Sequence, residues 1–452
     1  MSILIPDLDL IRKYNQPGPR YTSYPTAPHF ADSCPTAQLA AEPAKDRSPL
    51  SLYFHIPFCR KLCWFCGCTT IISTQQDRAD QYLDYLEKEI DLLLPSIEGR
   101  KVHQLHFGGG TPNFLSPAQI LRFSKFLHER FEFAPDAEMS AEFDPRTLDK
   151  ARLDAFVELG INRASIGVQD IREEVQKAIN RVQPHEVNVQ VLEWLRAAGI
   201  SSINMDLIYG LPFQTPETFQ ETLDQAIAYA PTRFAVFSYA HVPWIKPAQK
   251  ILEAKTLPEP DEKIKMLGRI ISTLTSADYH YIGMDHFAAQ DDPLTIAHKN
   301  KTLQRNFQGY STHAGLEICA FGMSSISQTA RSYRQNYKEL DQYCAALDEG
   351  RLPIERGLIL NDDDLLRRDI IMSLMCHLEI DYAAKSAEHG IDFKAHFDRE
   401  LEELKPMQDD GLIQLEDDKF TITQQGTLFI RNIAMKFDAY LAEGKGKYSK
   451  TV

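Results

Sequence analysis

The chain has 452 residues, 43% hydrophobic and 25% charged, with 49 Lys and Arg against 63 Asp and Glu for a formal charge of -14. That length exceeds the size at which a single core stops growing, so one large domain with smaller additions is expected. The acidic balance argues against a broad nucleic-acid or anionic-membrane surface, and no apolar run approaches the roughly 20 residues of a membrane-spanning helix.

The N-terminus, "MSILIPDLDLIRKYNQ", has acidic residues and no basic segment leading into an apolar stretch. It therefore fits neither a secretory nor a mitochondrial targeting pattern, and a cytoplasmic location is expected. "KYNQPGPRYTSYPTAPHF" follows, rich in Pro and Tyr and lacking a helical period. So many aromatic residues with so few charges suit an ordered segment lying over other structure better than a linker.

From about residue 50 to 285, β-rich runs alternate with amphipathic stretches. Strands are expected at 50–56, 102–107, 138–143, 163–168, 203–210 and 233–240, with helical periodicity in stretches such as 78–94 and 216–230. "SPAQI" and "TPETF" supply helix caps followed by a first-turn proline. Repeated βα units suit either a doubly wound sheet or an incomplete barrel, and both bind ligands at the C-terminal ends of their strands. After about residue 290 the pattern turns mostly helical, closing on a strand pair and helix of winged-helix-like order.

Four of the eight cysteines, Cys59, Cys63, Cys66 and Cys68, fall together in "HIPFCRKLCWFCGC" directly after the first strand. Such a cluster points to a metal site. Structural zinc takes thiolates in two separated pairs, and no second pair or matching His pair follows, which weakens the alternative of a zinc knuckle acting as an interaction module. A cuboidal iron–sulfur cluster normally takes four Cys ligands, so three would leave one iron open. Cys34, Cys319, Cys344 and Cys376 are scattered singly and read as reduced, mostly buried thiols.

The remaining unusual residues lie at strand ends. "HFGGGTP" ends the second strand, and its glycines let a ligand approach the backbone; no Lys-Ser/Thr follows, so it is not a phosphate-binding P-loop. Glu142 and Asp144 end the third strand, Gln169 follows the fourth, and Arg181, Asp206 and Ala240 occupy corresponding ends or lie just beyond them. The Arg181 fork suits a carboxylate, and Asp206 suits a ribose or an amine. His55 reads as a hydrogen-bonded core residue, and Cys376 and His377 as packing.

Cys59, Cys63 and Cys66, spaced C-x3-C-x2-C after the first strand, resemble the motif of the radical S-adenosylmethionine (SAM) enzymes. In that superfamily SAM's methionine part chelates the open iron, and one electron from the cluster cleaves the sulfonium to give a 5′-deoxyadenosyl radical. "GPRYTSYPT", "HFGGGTP", "EFDP", "SIGVQD", "NMDLIYGLP", "GMDHFA" and "RNFQGYST", with "RNIAMKFD" in the tail, extend the likeness, so that nearly the whole chain resembles the oxygen-independent coproporphyrinogen III oxidase family.

The resemblance implies an α/β fold: an N-terminal extension over the active site (1–48), an incomplete (β/α)6 radical SAM barrel (49–290) and a mainly helical C-terminal domain (291–452). It implies oxidative decarboxylation of two propionates of coproporphyrinogen III to vinyl groups, giving protoporphyrinogen IX in haem biosynthesis. A [4Fe-4S] cluster would sit on Cys59, Cys63 and Cys66, together with two SAM molecules. Tyr53, Gly109, Glu142 and Ile326 would contact the cluster-bound SAM; Phe65, Gly110, Thr111, Gln169, Arg181, Asp206 and Ala240 would contact the second. Tyr53 and Cys68 would take part in catalysis. An electron donor and an acceptor are implied without being identified, and a monomer is expected. A related haem chaperone without decarboxylase activity is the nearest alternative, but it typically lacks both "GPRYTSYPT" and the fourth cysteine.

Overall fold

In a computed structural model of the chain, residues 7–45, 47–253, 256–441, 444 and 448–451 are described. They form two compact units. One comprises Phe30–Pro258 and Gly315–Ile359, the other Met1–His29, Glu259–Ala314 and Leu360–Val452. These units cut across the expected boundaries at 48 and 290, because residues 315–359 return strands to the sheet that residue 50 begins.

The first unit is built on β1 (Leu50–Ile56), β2 (Val102–Gly109), β3 (Phe133–Phe143), β4 (Arg163–Gln169), β5 (Ser202–Tyr209) and β6 (Arg233–Ser238). They pair in parallel in chain order, with a helix in every crossover. Helix α1 (Asp77–Ile97) covers the first connection, and α2 (Pro117–Arg130) covers the second. Ser116 caps α2 through a capping box with Gln119, as the Ser-Pro start predicts. The other edge of β1 is taken by β7 (Glu317–Phe321), also in parallel, followed by the antiparallel strands β8 (Ile326–Gln328), β9 (Ser332–Asn336) and β10 (Ile354–Ile359). β1 thus pairs with β7 and not with β6, which leaves the six-strand barrel open. Burial fixes the arrangement: Phe54, Phe107 and Phe321 of adjacent strands stack at 5.1 and 5.4 Å between centroids.

The expectation of mostly helical structure from 290 onward is corrected over residues 304–359, which are rich in strands. β7 and β9 are buried at every position, so they lack the alternation that marks a half-exposed strand. Helix predominates from residue 360. There Asp362–His377, Tyr382–His389 and Asp398–Asp409 accompany a three-stranded antiparallel sheet that includes the expected pair Ile413–Leu415 and Lys419–Ile422. "GPRYTSYPT" is ordered within this second unit. Tyr21 and Tyr24 are fully buried, Tyr21 donates to Asp438 at 2.9 Å, and Arg431 donates to the carbonyls of Gly18 and Pro19. Among the described residues, no helix is long and apolar enough to cross a membrane.

Glu89 of α1 ties the sheet's return strands to the helix layer. Its buried carboxylate accepts from Gly322 N (2.8 Å), Asn336 Nδ2 (2.6 Å) and Tyr343 Oη (2.7 Å). Burial outweighs these donors and pushes the carboxyl from 4.5 up to about 7. The native state therefore prefers Glu89 protonated, so its contribution is full below pH 4.5 and is lost as pH rises through about 7. Glu89→Gln should flatten the decline of the urea midpoint between about pH 5 and pH 8 relative to wild type. Parallel pH profiles for the two proteins would contradict this.

Candidate active site

The cysteine loop leaves β1 at Pro57 and is fixed from several directions. Phe58–Cys59 pairs in parallel with Ile71–Ile72, Trp64 N donates to Ile179 O (3.0 Å), and Asn180 Nδ2 donates to Leu62 O (2.8 Å). Gln249 Nε2 reaches Phe65 O (2.9 Å), and Lys246 Nζ reaches Cys68 O (2.7 Å). With its backbone bonded this way, the loop presents its thiols to a cavity of about 190 Å³ at the C-terminal ends of β1 to β5.

Thirteen of the expected residues line that cavity: Cys59, Cys63, Phe65, Cys66, Cys68, Gly109, Gly110, Thr111, Glu142, Asp144, Gln169, Arg181 and Asp206. Cys59 Sγ lies 3.3 Å from Thr111 Oγ1. Burial pushes the Cys59 thiol up to about 11, whereas the hydrogen bond with Cys68 lowers Cys66 and raises Cys68. Gly109 has φ +112, and a Cβ on Gly110 would lie 2.5 Å from Pro57 O, so neither position has room for a side chain without backbone movement. Gly110→Ala should push the strand turn off the cysteine loop and destabilise the protein by about 1–3 kcal/mol, measured by urea unfolding. An unchanged midpoint would show that the close approach is not required.

The charged wall is a network. Asp144 faces Arg146 at 2.6 Å and Arg181 at 3.4 Å, and the two guanidiniums reach Cys63 Sγ at 3.5 and 3.8 Å. Burial alone would raise the Asp144 carboxyl, but Arg181 and then Arg146 hold it below the ordinary carboxylate range. Arg181 also donates to Gly167 O at 2.7 Å, while its buried Nε has no hydrogen-bond partner among the described residues. A Cβ on Gly167 would fall 2.6 Å from Gln169 Nε2, so that glycine makes room for Gln169, itself in the left-handed region at φ +70. Asp206 accepts from Asn204 Nδ2 (2.8 Å) and Ser165 Oγ (3.3 Å); burial, and then the charge of Glu142, push it up to about 7.

Three expected residues lie off the cavity wall. Tyr53 stands behind it, stacked on His106 (5.9 Å), whose Nε2 lies 3.2 Å from Glu142 Oε1. Ala240 is exposed beyond the end of β6, and Ile326 opens β8 opposite Gln335. His55, between Tyr53 Oη (3.2 Å) and Thr69 O (3.0 Å), is the hydrogen-bonded core residue expected. Sequence reasoning passed over Arg146 and His106. Arg146 directly follows "EFDP", so a search for cations just past the strand ends would have found it.

An open run of parallel strands with a three-cysteine loop after the first defines a radical SAM enzyme, and the family profile "Radical SAM superfamily" matches residues 53–226. A second profile, "HemN C-terminal domain", matches residues 360–429. The chain is 45% identical to the oxygen-independent coproporphyrinogen III oxidase of Helicobacter pylori strain J99 over 99% of both chains. It is 47% identical to that of Escherichia coli K12, covering 97% of this chain and 96% of the other. The solved structure of coproporphyrinogen III oxidase (HemN) from Escherichia coli, described as a radical SAM enzyme, superposes with a TM-score of 0.93 at 44% identity, covering 97% of this chain and all of that one. The chain belongs to the oxygen-independent coproporphyrinogen III oxidase family.

Proposed function

We propose that the protein decarboxylates two propionates of coproporphyrinogen III to vinyl groups, giving protoporphyrinogen IX without oxygen. The observation that carries this reading is the convergence of Cys59, Cys63 and Cys66 with the Gly109–Gly110 turn on one cavity, in a chain alike over its whole length to enzymes of that name. The donor set fits the implied groups: three thiols suit three irons of a cubane, the glycine turn lacks the side chains that would block a ligand, and the unpartnered Arg181 Nε suits a carboxylate. When bound, the [4Fe-4S] cluster and SAM supply a 5′-deoxyadenosyl radical able to take a hydrogen atom from the propionate β-carbon.

The chain's own residues bind and orient. Cys59, Cys63 and Cys66 hold the cluster, with the Arg146 and Arg181 guanidiniums reaching Cys63 Sγ at 3.5 and 3.8 Å. Tyr53, Gly109, Glu142 and Ile326 serve the SAM on the cluster. A second SAM is assigned to Phe65, Gly110, Thr111, Gln169, Arg181, Asp206 and Ala240. Each propionate loses CO2 and one electron besides the hydrogen atom, so the protein needs an electron acceptor as well as the donor that reduces the cluster. The test is anaerobic incubation of dithionite-reduced, reconstituted protein with coproporphyrinogen III, SAM and an added one-electron acceptor, followed by oxidation and chromatography of the porphyrins. Protoporphyrin with two CO2 per molecule is expected. Haem retention without any loss of CO2 would replace this reading with that of a haem chaperone.

A further inference from the structure

A second cavity, of about 470 Å³, adjoins the first and shares Leu62, Cys66, Cys68 and Thr70 with it. Three cations from separate segments line it: Arg78 in the first turn of α1, Lys246 beyond β6 and Lys338 just after β9. We propose that this cavity receives carboxylate arms of the tetrapyrrole substrate on Arg78, Lys246 and Lys338, an inference that rests on the coproporphyrinogen reading above.

The charges are placed by the fold and free of direct ion pairs among the described residues. Lys246 is pinned by its bond to Cys68 O, so its positive charge sits against the cysteine loop. Among the described residues, none of the three cations forms an ion pair, and Arg78 makes no hydrogen bond. Partial burial and then Arg356 lower the Lys338 ammonium below its usual range, with Lys246 adding to the effect and Glu355 and Asp32 opposing it; an anion bound there would relieve that repulsion. The cavity's two carboxylates, Glu339 and Asp341, are exposed at the start of the helix Leu340–Asp348, whose positive end favours them, and pair with none of the three cations.

The chemistry of the substrate calls for such a neighbour. A coproporphyrinogen carries four propionates on an apolar macrocycle, so while one reacts beside the cluster the others need counter-charge outside the reaction cavity. The apolar body needs contact as well. Trp244 and Ile245, immediately before Lys246 in the chain, are 62% and 59% exposed and offer apolar surface next to that cation in sequence.

The test uses full-length protein, reconstituted anaerobically, with Arg78→Met, Lys246→Met, Lys338→Met and the triple variant. With dithionite as reductant, KM for coproporphyrinogen III should rise about fivefold in each single variant and about 20-fold or more in the triple one. kcat, iron content and SAM equivalents should stay within about twofold of wild type in Arg78→Met and Lys338→Met, whose cations make no bond to the cysteine loop, whereas Lys246→Met and the triple variant, which also free Cys68 O, are read by KM and retention alone. Anaerobic ultrafiltration without reductant, which reads binding apart from turnover, should show the same loss of coproporphyrinogen III affinity. A wild type that converts the substrate, with KM and retention unchanged in the triple variant, would overturn the inference alone. Cations that matter only when an acidic electron-donor protein replaces dithionite would overturn it too, marking a donor surface. A wild type that neither retains nor converts coproporphyrinogen III would instead overturn the proposed function.

Discussion

Serine at Cys59, Cys63 or Cys66 is expected to abolish cluster loading and turnover, while serine at Cys68 leaves the cluster in place. A cubane takes about four ligands, and a radical SAM enzyme must keep one iron for its cofactor, so a fourth thiolate would compete with SAM. Cys68 is separated from Cys66 by Gly67 alone, a spacing too short for both to reach different corners comfortably. The loop's backbone is bonded to Ile179 O, Gln249 and Lys246 independently of the thiols, so each serine variant should keep its fold and isolate the loss of a ligand. Iron and sulfide analysis after anaerobic reconstitution should give about four of each per chain for wild type and Cys68→Ser, and below about one for the other three. An apo protein from Cys68→Ser, beside a wild type that loads normally, would identify the fourth thiol as a ligand.

Arg181→Ala should lower SAM binding from two equivalents toward one, with affinity at the second site falling roughly 10- to 100-fold, as expected for the loss of a charge-assisted hydrogen bond. The surroundings should tolerate the change. Gly167 O keeps the Gln183 Nε2 donor at 3.1 Å, and Asp144 keeps Arg146 at 2.6 Å, so neither acceptor is left bare. Cluster content should therefore persist while equilibrium dialysis with labelled SAM registers the loss. If two equivalents still bind with unaltered affinity, Arg181 is a structural partner of Asp144 and the assignment to the second SAM fails.

The readable part of the molecule was the part written in local periodicity and in rare residue types. The six parallel strands and the capped helices follow from alternating short β-rich and amphipathic runs, and the Cys59–Cys68 cluster is visible because thiols at that spacing have few other uses. Knowing that parallel strands present ligands at their C-terminal ends was enough to gather Glu142, Gln169, Arg181 and Asp206 as candidates before any contact was known. Within residues 304–359, β7 and β9 were lost to the same method, because burial on both faces erases the pattern by which a strand is recognised.

What only the tertiary structure decided was the company each side chain keeps. Asp144 acquires its low proton affinity from Arg146 and Arg181, and Arg181 arrives from the loop beyond the next strand, a pairing set by register and crossover. Arg78, Lys246 and Lys338 are unremarkable surface cations in the sequence and become one cavity wall only through the packing of three distant segments. Ala240 and Ile326, placed with the site by motif alone, lie off the wall of the first cavity. Periodicity and residue chemistry are properties of neighbours along the chain, so the sequence by itself determined the elements and the metal-binding loop. Distances between segments far apart in the chain depend on how whole strands and helices pack, and that packing fixed the charges and the second cavity.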